Sequence, residues 1–335
     1  MRRALRLAVA LALAGSCCCA GRALRLGVQD PVCRDALRRE RITYTRREGV
    51  FLARGDGSHE TKLLDATDLG RAAAAFMPSL SRDGRRLLFL SLSEVDVRNS
   101  TGHDLALNLL DLDDDDLIGW RRISLERIVP PDTGGRRDAF TVTAAAWSRD
   151  ASRIALSLDR PASKGGDYVL LMDALGAPVV AVSLQGRELL RAGSLSWTAD
   201  STGLLLGLQG QGEWKDQGVV ALLTLPQSGA PALRAPADLA PGQLPALSPS
   251  GDLIAAADLE EGRADLVLMS TEGTERGRFT RPAGRAPSRI WWSADARYLY
   301  FCSLASTGPL GLRQVTLLRC LDTRTGEVHD LVNLG

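Results

Sequence analysis

Five short segments of the chain align without gaps, and this repeat restricts the fold more tightly than any other feature. They are Leu80-Ser81-Arg82-Asp83-Gly84, Trp147-Ser148-Arg149-Asp150-Ala151, Trp197-Thr198-Ala199-Asp200-Ser201, Leu247-Ser248-Pro249-Ser250-Gly251 and Trp292-Ser293-Ala294-Asp295-Ala296. Three of the six tryptophans share one column. Hydroxyl, then Asp or Ser, then a small residue is turn chemistry, because short polar side chains bond the turning backbone and a small residue accepts positive φ. Downstream, Leu87 to Phe89, Ile154 to Leu156, Leu204 to Leu206, Ile254 to Ala256 and Leu299 to Phe301 keep the register. Each unit therefore reads as strand, tight turn, strand. A third apolar run follows in Leu105 to Leu110, Tyr168 to Met172, Val219 to Leu225, Leu266 to Met269 and Val315 to Leu321, and a shorter fourth run, such as Val179 to Leu184, closes the unit.

The Leu/Trp positions lie 67, 50, 50 and 45 residues apart, a period of four-stranded propeller blades rather than of helical repeats. Upstream, Ile42 to Thr45, Val50 to Ala53, the turn Asp56-Gly57 and Thr61 to Leu64 read as strands two to four of one more blade. The expected fold is all-β, a six-bladed β-propeller of four-stranded antiparallel blades, with seven blades as the alternative. The missing inner strand of the first blade comes either from residues 24 to 30 or from the tail Val328 to Leu334, which would latch the ring.

The order Trp-Ser-x-Asp-Gly, Leu-x-Phe, apolar strand and Asp-x-x-Gly resembles the WD-like repeat of TolB-type six-bladed propellers. Propeller domains of prolyl oligopeptidase relatives carry it as well. The resemblance covers roughly residues 40 to 335 and implies fold more than activity, since this architecture hosts unrelated functions. TolB carries an additional α/β domain before its propeller, and the stretch between Cys17 and residue 40 is too short to hold one. The hydrolase domain of the oligopeptidases has no counterpart in this sequence.

The beginning of the chain reads as an address. Arg2, Arg3 and Arg6 precede the apolar run Leu7 to Ala14, and Gly15 and Ser16 follow, which is the order of a secretory signal. That run is too short for a stable membrane-spanning helix. Ala14-Gly15-Ser16-Cys17 resembles a bacterial lipobox, although Leu is usual where Ala14 stands. This implies residues 1–16 as signal peptide, lipidation at Cys17, a linker over 17–40 and the propeller over 41–335. Ordinary cleavage near Ala14 or Ala20 and an uncleaved anchor are the alternatives. By the lipoprotein sorting rule, Cys18 is not the aspartate that retains a lipoprotein in the inner membrane, so the outer membrane is the implied address.

Composition excludes several classes of function. With 41 basic and 40 acidic residues the formal charge is +1, and nucleic acid is not an expected partner. Only Lys62, Lys164 and Lys215 are lysines, so arginine carries nearly all the positive charge, a bias that fits a GC-rich genome. A mean hydropathy of −0.04 excludes a multi-span membrane protein. Three histidines, His59, His103 and His329, and no Gly-x-Ser-x-Gly elbow leave little material for a nucleophilic triad. No phosphate-cradling Gly-x-x-x-x-Gly-Lys occurs, and Gly207, Gly210 and Gly212 follow a strand with no helix after them. The run Asp111, Asp113, Asp114, Asp115 and Asp116 offers oxygen ligands but lacks the Gly and the distant Glu of a calcium loop. The recurring Asp83, Asp150, Asp200 and Asp295 read as blade architecture, and Trp147, Trp197 and Trp292 as packing between blades. No catalytic residue, metal or cofactor is expected.

The expected function is therefore a non-catalytic protein-binding or scaffolding module at the cell envelope, a monomer that binds envelope proteins and is held to the membrane by lipid. The alternative is a periplasmic enzyme, or a propeller that binds a small molecule, sugar or peptide in its channel. Loops between strands two and three, Ser93 to Asp104, Asp159 to Asp167, Gln209 to Gly218 and Ser303 to Arg313, are long and unequal, as recognition loops are. Trp214, between Glu213 and Lys215, stands outside every repeat column and is the expected partner anchor, unless it folds back over the channel. Cys302 and Cys320 lie on neighbouring strands of the last blade and are expected either within disulfide reach or as two buried thiols.

Overall fold

The motif hydroxyl and the motif aspartate build the turn between the first and second strands of a blade by bonding to each other and to the backbone. Ser81 Oγ donates to Asp83 Oδ1 at 2.6 Å, and the amides of Arg86 and Arg85 donate to Ser81 Oγ and Asp83 Oδ1. Ser148 with Asp150, Thr198 with Asp200 and Ser293 with Asp295 repeat the pattern. Where Ser250 replaces the aspartate, Asp252 two residues on receives Ser248 Oγ at 2.8 Å. The residue that follows the aspartate column is left-handed in all five turns, with φ of 71° at Gly84, 54° at Ala151, 58° at Ser201, 83° at Gly251 and 58° at Ala296. Glycine occupies that position without penalty, whereas alanine and serine there cost about 1 kcal/mol each.

The computed structural model describes residues 38–46, 48–55, 58–97, 100–125, 141–159, 168–184, 190–210, 218–225, 237–260, 263–280, 287, 289–293, 295–307 and 313–333. Blade 1 contains Arg41–Arg46, Gly49–Arg54 and Thr61–Asp65. Blade 2 contains Arg71–Leu80, Arg86–Val97, Ser100–Asp113 and Asp116–Ser124, and blade 3 Thr141–Trp147, Arg153–Asp159, Tyr168–Asp173 and Pro178–Ser183. Leu190–Trp197, Gly203–Gly210, Gly218–Thr224 and Ala237–Pro241 form blade 4, and Gln243–Leu247, Leu253–Glu260, Arg263–Ser270 and Glu275–Phe279 form blade 5. Blade 6 is Arg289–Trp292, Tyr298–Thr307, Arg313–Asp322 and Val328–Asn333. Each sheet is antiparallel, with its strands in sequence order. The architecture is the expected six-bladed β-propeller.

The core lies between blades rather than within one. Leu87 and Phe89 pack toward blade 1, while Leu88 and Leu90, one residue out of phase on the same strand, pack toward blade 3. Both faces of a second strand are therefore buried, which is why these strands read as unbroken apolar runs. Trp147 fills the seam of blades 2 and 3, Trp197 that of 3 and 4, and Trp292 that of 5 and 6. The indole N–H of Trp197 donates to Ala146 O and that of Trp292 to Ala246 O, in each case on the first strand of the preceding blade.

Arginines at the start of second strands add a further link. Arg86 donates to Ala151 O at 2.9 Å with its guanidinium 5.9 Å from the Trp147 ring, and Arg153 donates to Ser201 O with its guanidinium 5.1 Å from Trp197. Each reaches the left-handed turn residue of the next blade. Arg41 donates to Gly84 O in the same way, so the strand it begins is a second strand and blade 1 holds strands two to four among the described residues. Residues 24 to 30 lie outside the described residues. The other candidate for the inner strand, the tail, is placed elsewhere. It pairs with the third strand of blade 6, Val328 opposite Leu321, because Asp322 to Gly326 forms a turn that corresponds to Asp173 to Gly176 and is one residue longer. Arg289 of blade 6 donates to Pro78 O of blade 2 at 2.6 Å, a link between the last blade and the inner strand of the second.

The arginine link generates a measurable expectation. Arg153→Ala removes a cation–π contact and a charged hydrogen bond, together about 2 kcal/mol. Its Tm should drop by several degrees, with Arg153→Lys recovering only part of the loss. Equal Tm values for wild type and Arg153→Ala would show that the link is idle.

Candidate functional site

The ring has two unlike faces. Turns between strands one and two and between strands three and four lie on one face, and connections between strands two and three on the other. Of the expected loops Ser93 to Asp104 and Ser303 to Arg313, the described parts are strand rather than irregular: the β-ladder reaches Val97 opposite Ser100 and Thr307 opposite Arg313, and residues 98–99 and 308–312 lie outside the described residues. Their Ser, Thr and Val content favours extended pairing once the hairpin has begun. The second strand of blade 2 has 12 residues against 7 in blade 3 and 8 in blades 4 and 5. At about 3.3 Å per residue, this strand extends roughly 13 Å beyond that of blade 5; residues 160–167 and 211–217, which join the same strands in blades 3 and 4, lie outside the described residues. Trp214, Glu213 and Lys215, the Asp159 to Asp167 connection beyond its first residue, and Cys17 all lie outside the described residues.

The structure records Cys302 and Cys320 as two buried thiols and not as a disulfide. Cys302 pairs with Leu318 and Cys320 with Tyr300, so the cysteines are diagonal neighbours two residues out of register. Diagonal positions on adjacent strands are about 7–8 Å apart, beyond the usual disulfide span. Gly207 lies within a strand where an added Cβ would meet Leu244 N at 3.0 Å and Ser194 Oγ at 2.2 Å, so its smallness serves blade packing.

The acidic run splays rather than converging. Asp111 sits 3.6 Å from Arg86, and Asp115 pairs with Arg41 at 2.6 Å. No group of three or more His, Cys, Asp or Glu that could hold a metal occurs among the described residues. On blade 5, Arg278 gathers Asp258, Asp265 and Glu275, the last two and the first all within 3.3 Å. Exposed apolar side chains gather on the outer strands of blades 2 and 3 and the turn beside them, at Ile118, Trp120, Leu175 and Val179. At the channel mouth Arg149 donates to Pro249 O of blade 5. Burial and the neighbouring Arg82 together push its pKa below the usual arginine value.

A basic cleft of about 280 Å³ opens on the turn face at the seam of blades 1 and 2. Arg38, Arg39, Arg41, Arg54 and His59 line it together with Leu52, Ala53 and Asp115. Arg54 and His59 flank the turn between the third and fourth strands, and His59 is held left-handed at φ 55°. Sequence reasoning missed this site because it weighed each arginine singly, as part of a chain-wide bias.

No protein-family model and no curated protein sequence matches the chain. Solved structures do resemble it. TolB from Acinetobacter baumannii matches with a TM-score of 0.57 at 12% identity, over 92% of this chain and 65% of that protein, so the chain spans just under two thirds of it. A putative TolB from Agrobacterium tumefaciens gives 0.52 at 15% identity, over 82% of this chain and 84% of that one. A puromycin-hydrolyzing peptidase of Mycobacterium tuberculosis gives 0.56 at 15% identity, over 88% and 43%.

The turn carboxylates make stability depend on pH. The Thr198 hydroxyl, then the Thr202 amide and hydroxyl, hold Asp200 down at about 2. At Asp83 partial burial acts upward, but the Ser81 hydroxyl and the Arg85 amide outweigh it and the pKa is again lowered. A folded pKa below the unfolded value near 3.9 stabilises fully above about pH 4 and loses that stabilisation as pH falls through the folded pKa. Stability should therefore decline between about pH 4 and pH 2. Asp200→Asn should cost about 1 kcal/mol at pH 7, the full shift being reduced by solvent screening at this exposed turn, and close to nothing at pH 2. Parallel wild-type and variant melting curves across that range would contradict this account. The geometry and the resemblances agree on the architecture, a TolB-like six-bladed β-propeller.

Proposed function

We propose that the protein is exported, lipid-anchored at Cys17 and works as a non-catalytic protein-binding module at the cell envelope. The observation that carries this reading is the projecting hairpin of blade 2, Arg86–Val97 with Ser100–Asp113, set on a rigid ring. A two-stranded ribbon standing clear of its scaffold offers backbone edges and side chains to another protein. The TolB-like fold supports the reading, and the exposed apolar residues on blades 2 and 3 add a surface of the kind that partners cover. In this proposal Trp214, with Glu213 and Lys215, belongs to the same face as the hairpin and anchors the partner. Arg82 and Arg149 at the channel mouth favour a second reading, a ligand-binding channel, and the peptidase likeness keeps an enzyme within it.

Two experiments test the proposal. Cys17→Ala should move the protein from the membrane to the soluble fraction, since a multiply acylated lipoprotein is held firmly by its chains. Wild-type protein that is already soluble and carries no fatty acid would refute the anchor. Photo-crosslinkers placed along the 93–104 hairpin should capture an envelope protein in cells. Trp214→Ala combined with charge reversal at Glu213 and Lys215 should reduce that capture several-fold, as loss of an interface hot spot does. Unchanged capture, with loss of capture from substitutions on the turn face, would place the interface on the opposite side.

A further inference from the structure

At one position of the repeat, blade 1 reverses the charge that blades 2, 3 and 6 use. The first residue of a second strand faces a residue at the end of the third, the last one in every blade but blade 2, where it lies two residues earlier. In blade 2 this pair is Arg86 and Asp111, in blade 3 Arg153 and Asp173. In blades 4 and 5 it is neutral, Gly203 with Thr224 and Leu253 with Ser270, and in blade 6 Tyr298 faces Asp322, which accepts Arg297 at 2.7 Å. Blade 1 alone sets two cations opposite each other, Arg41 and Arg54. Like charges directly opposed across antiparallel strands destabilise the pair.

The substitution also gives up a turn contact. Asp173 Oδ1 accepts the amides of Leu175 and Ala177, and Asp322 Oδ1 that of Arg324, which a guanidinium in the same place cannot do. Around the Arg41–Arg54 pair stand Arg38, Arg39 and His59 and, among the described residues, one lining acid, Asp115. That acid is held by Arg41 at 2.6 Å, and Arg41 is further tied to Gly84 O. Arg39 and Arg54 form no ion pair among the described residues, and both are exposed in the cleft. Departure from a local rule, repeated cations and a concave surface coincide at one seam, where a bound anion would relieve the repulsion.

We propose that this cleft is a binding site for an oxyanion, a phosphoryl or carboxylate group held between Arg39 and Arg54. Arg41 contributes positive potential from behind, and His59 closes one side. The planar fork of arginine suits both groups, because each presents two oxygens to parallel N–H donors. The cleft volume accommodates a larger molecule that bears such a group.

The test uses the full chain, titrated with inorganic phosphate and separately with succinate. Ionic strength is kept low and constant with sodium chloride. Calorimetry and the rise in Tm report binding, since a ligand that binds only the folded state raises Tm. Saturable binding of at least one anion is expected, phosphate alone assigning a phosphoryl ligand and succinate alone a carboxylate. Arg54→Asp should weaken that binding at least about tenfold, the loss expected when a charged hydrogen bond is removed. In anion-free buffer its Tm should not fall, because the substitution recreates the pairing of blades 2 and 3. Should Arg54→Asp fail to fold, Arg39→Gln, an exposed change, should still weaken binding severalfold at unaltered Tm. Wild-type protein that binds neither anion beyond the effect of chloride overturns the proposal. So do variants that bind as wild type does.

Discussion

A four-stranded sheet with both faces apolar cannot stand alone in water, and the whole molecule follows from how each blade covers the next. Leu88 and Leu90 need blade 3 as much as Leu87 and Phe89 need blade 1, so burial is complete only when neighbours are present on both sides. Hydrophobic contact alone does not set the angle between blades. The directional contacts do: indole N–H groups of Trp197 and Trp292 reach back to the preceding first strand, and Arg41, Arg86 and Arg153 reach forward to the next left-handed turn. A blade is thus fixed from behind by an inner-strand indole and from in front by an outer-corner guanidinium. Where the arginine is missing, apolar packing fills the seam: Leu205, Val220, Ile254 and Met269 between blades 4 and 5, ahead of Gly203, and Leu253 itself with Leu268 and Trp292 between blades 5 and 6.

The turn chemistry explains why so much of this was legible. A Ser or Thr, an Asp two residues later and a small left-handed residue form a local hydrogen-bonded unit whose geometry owes nothing to distant contacts, and local units survive in sequence as recognisable strings. The exchange at Ser250 and Asp252 shows that the chemistry, not the identity of each letter, is what the turn needs. The tryptophan column was readable for a related reason: one residue per blade meets the same environment. The register of Cys302 against Cys320 was not readable, since it depends on counting residues around a hairpin whose length the sequence does not mark. The tail was ambiguous because an apolar strand of six residues suits an inner or an outer position equally, and only the turn ahead of it decides. The paired stretches 93–97 and 303–307 read as loop in the sequence because polar residues and Thr serve loops and exposed ribbons alike.

What a repeat hides is departure from itself, and here the departures fall in blades 1 and 2. Among the described residues, blade 2 has the longest second and third strands, an outer strand that exposes Ile118 and Trp120, and an acidic turn that reaches blade 1 through Asp115. Blade 1 has the reversed charge at Arg54. Five copies of a turn that retain a carboxylate or its substitute define what stability asks of that corner, and blade 1 sets two arginines across the neighbouring corner instead. Had the chain only needed to close its ring, the solution used twice already, an arginine facing an aspartate, would have served there too. The cost of opposed guanidiniums is a fraction of a kcal/mol when solvent screens them and grows as they are drawn into a cleft. Selection for a folded ring cannot favour that arrangement, whereas selection for an electropositive recess between two blades can, and the one acid that lines the recess among the described residues comes from the neighbouring blade, where it holds Arg41 in place without neutralising Arg39 or Arg54.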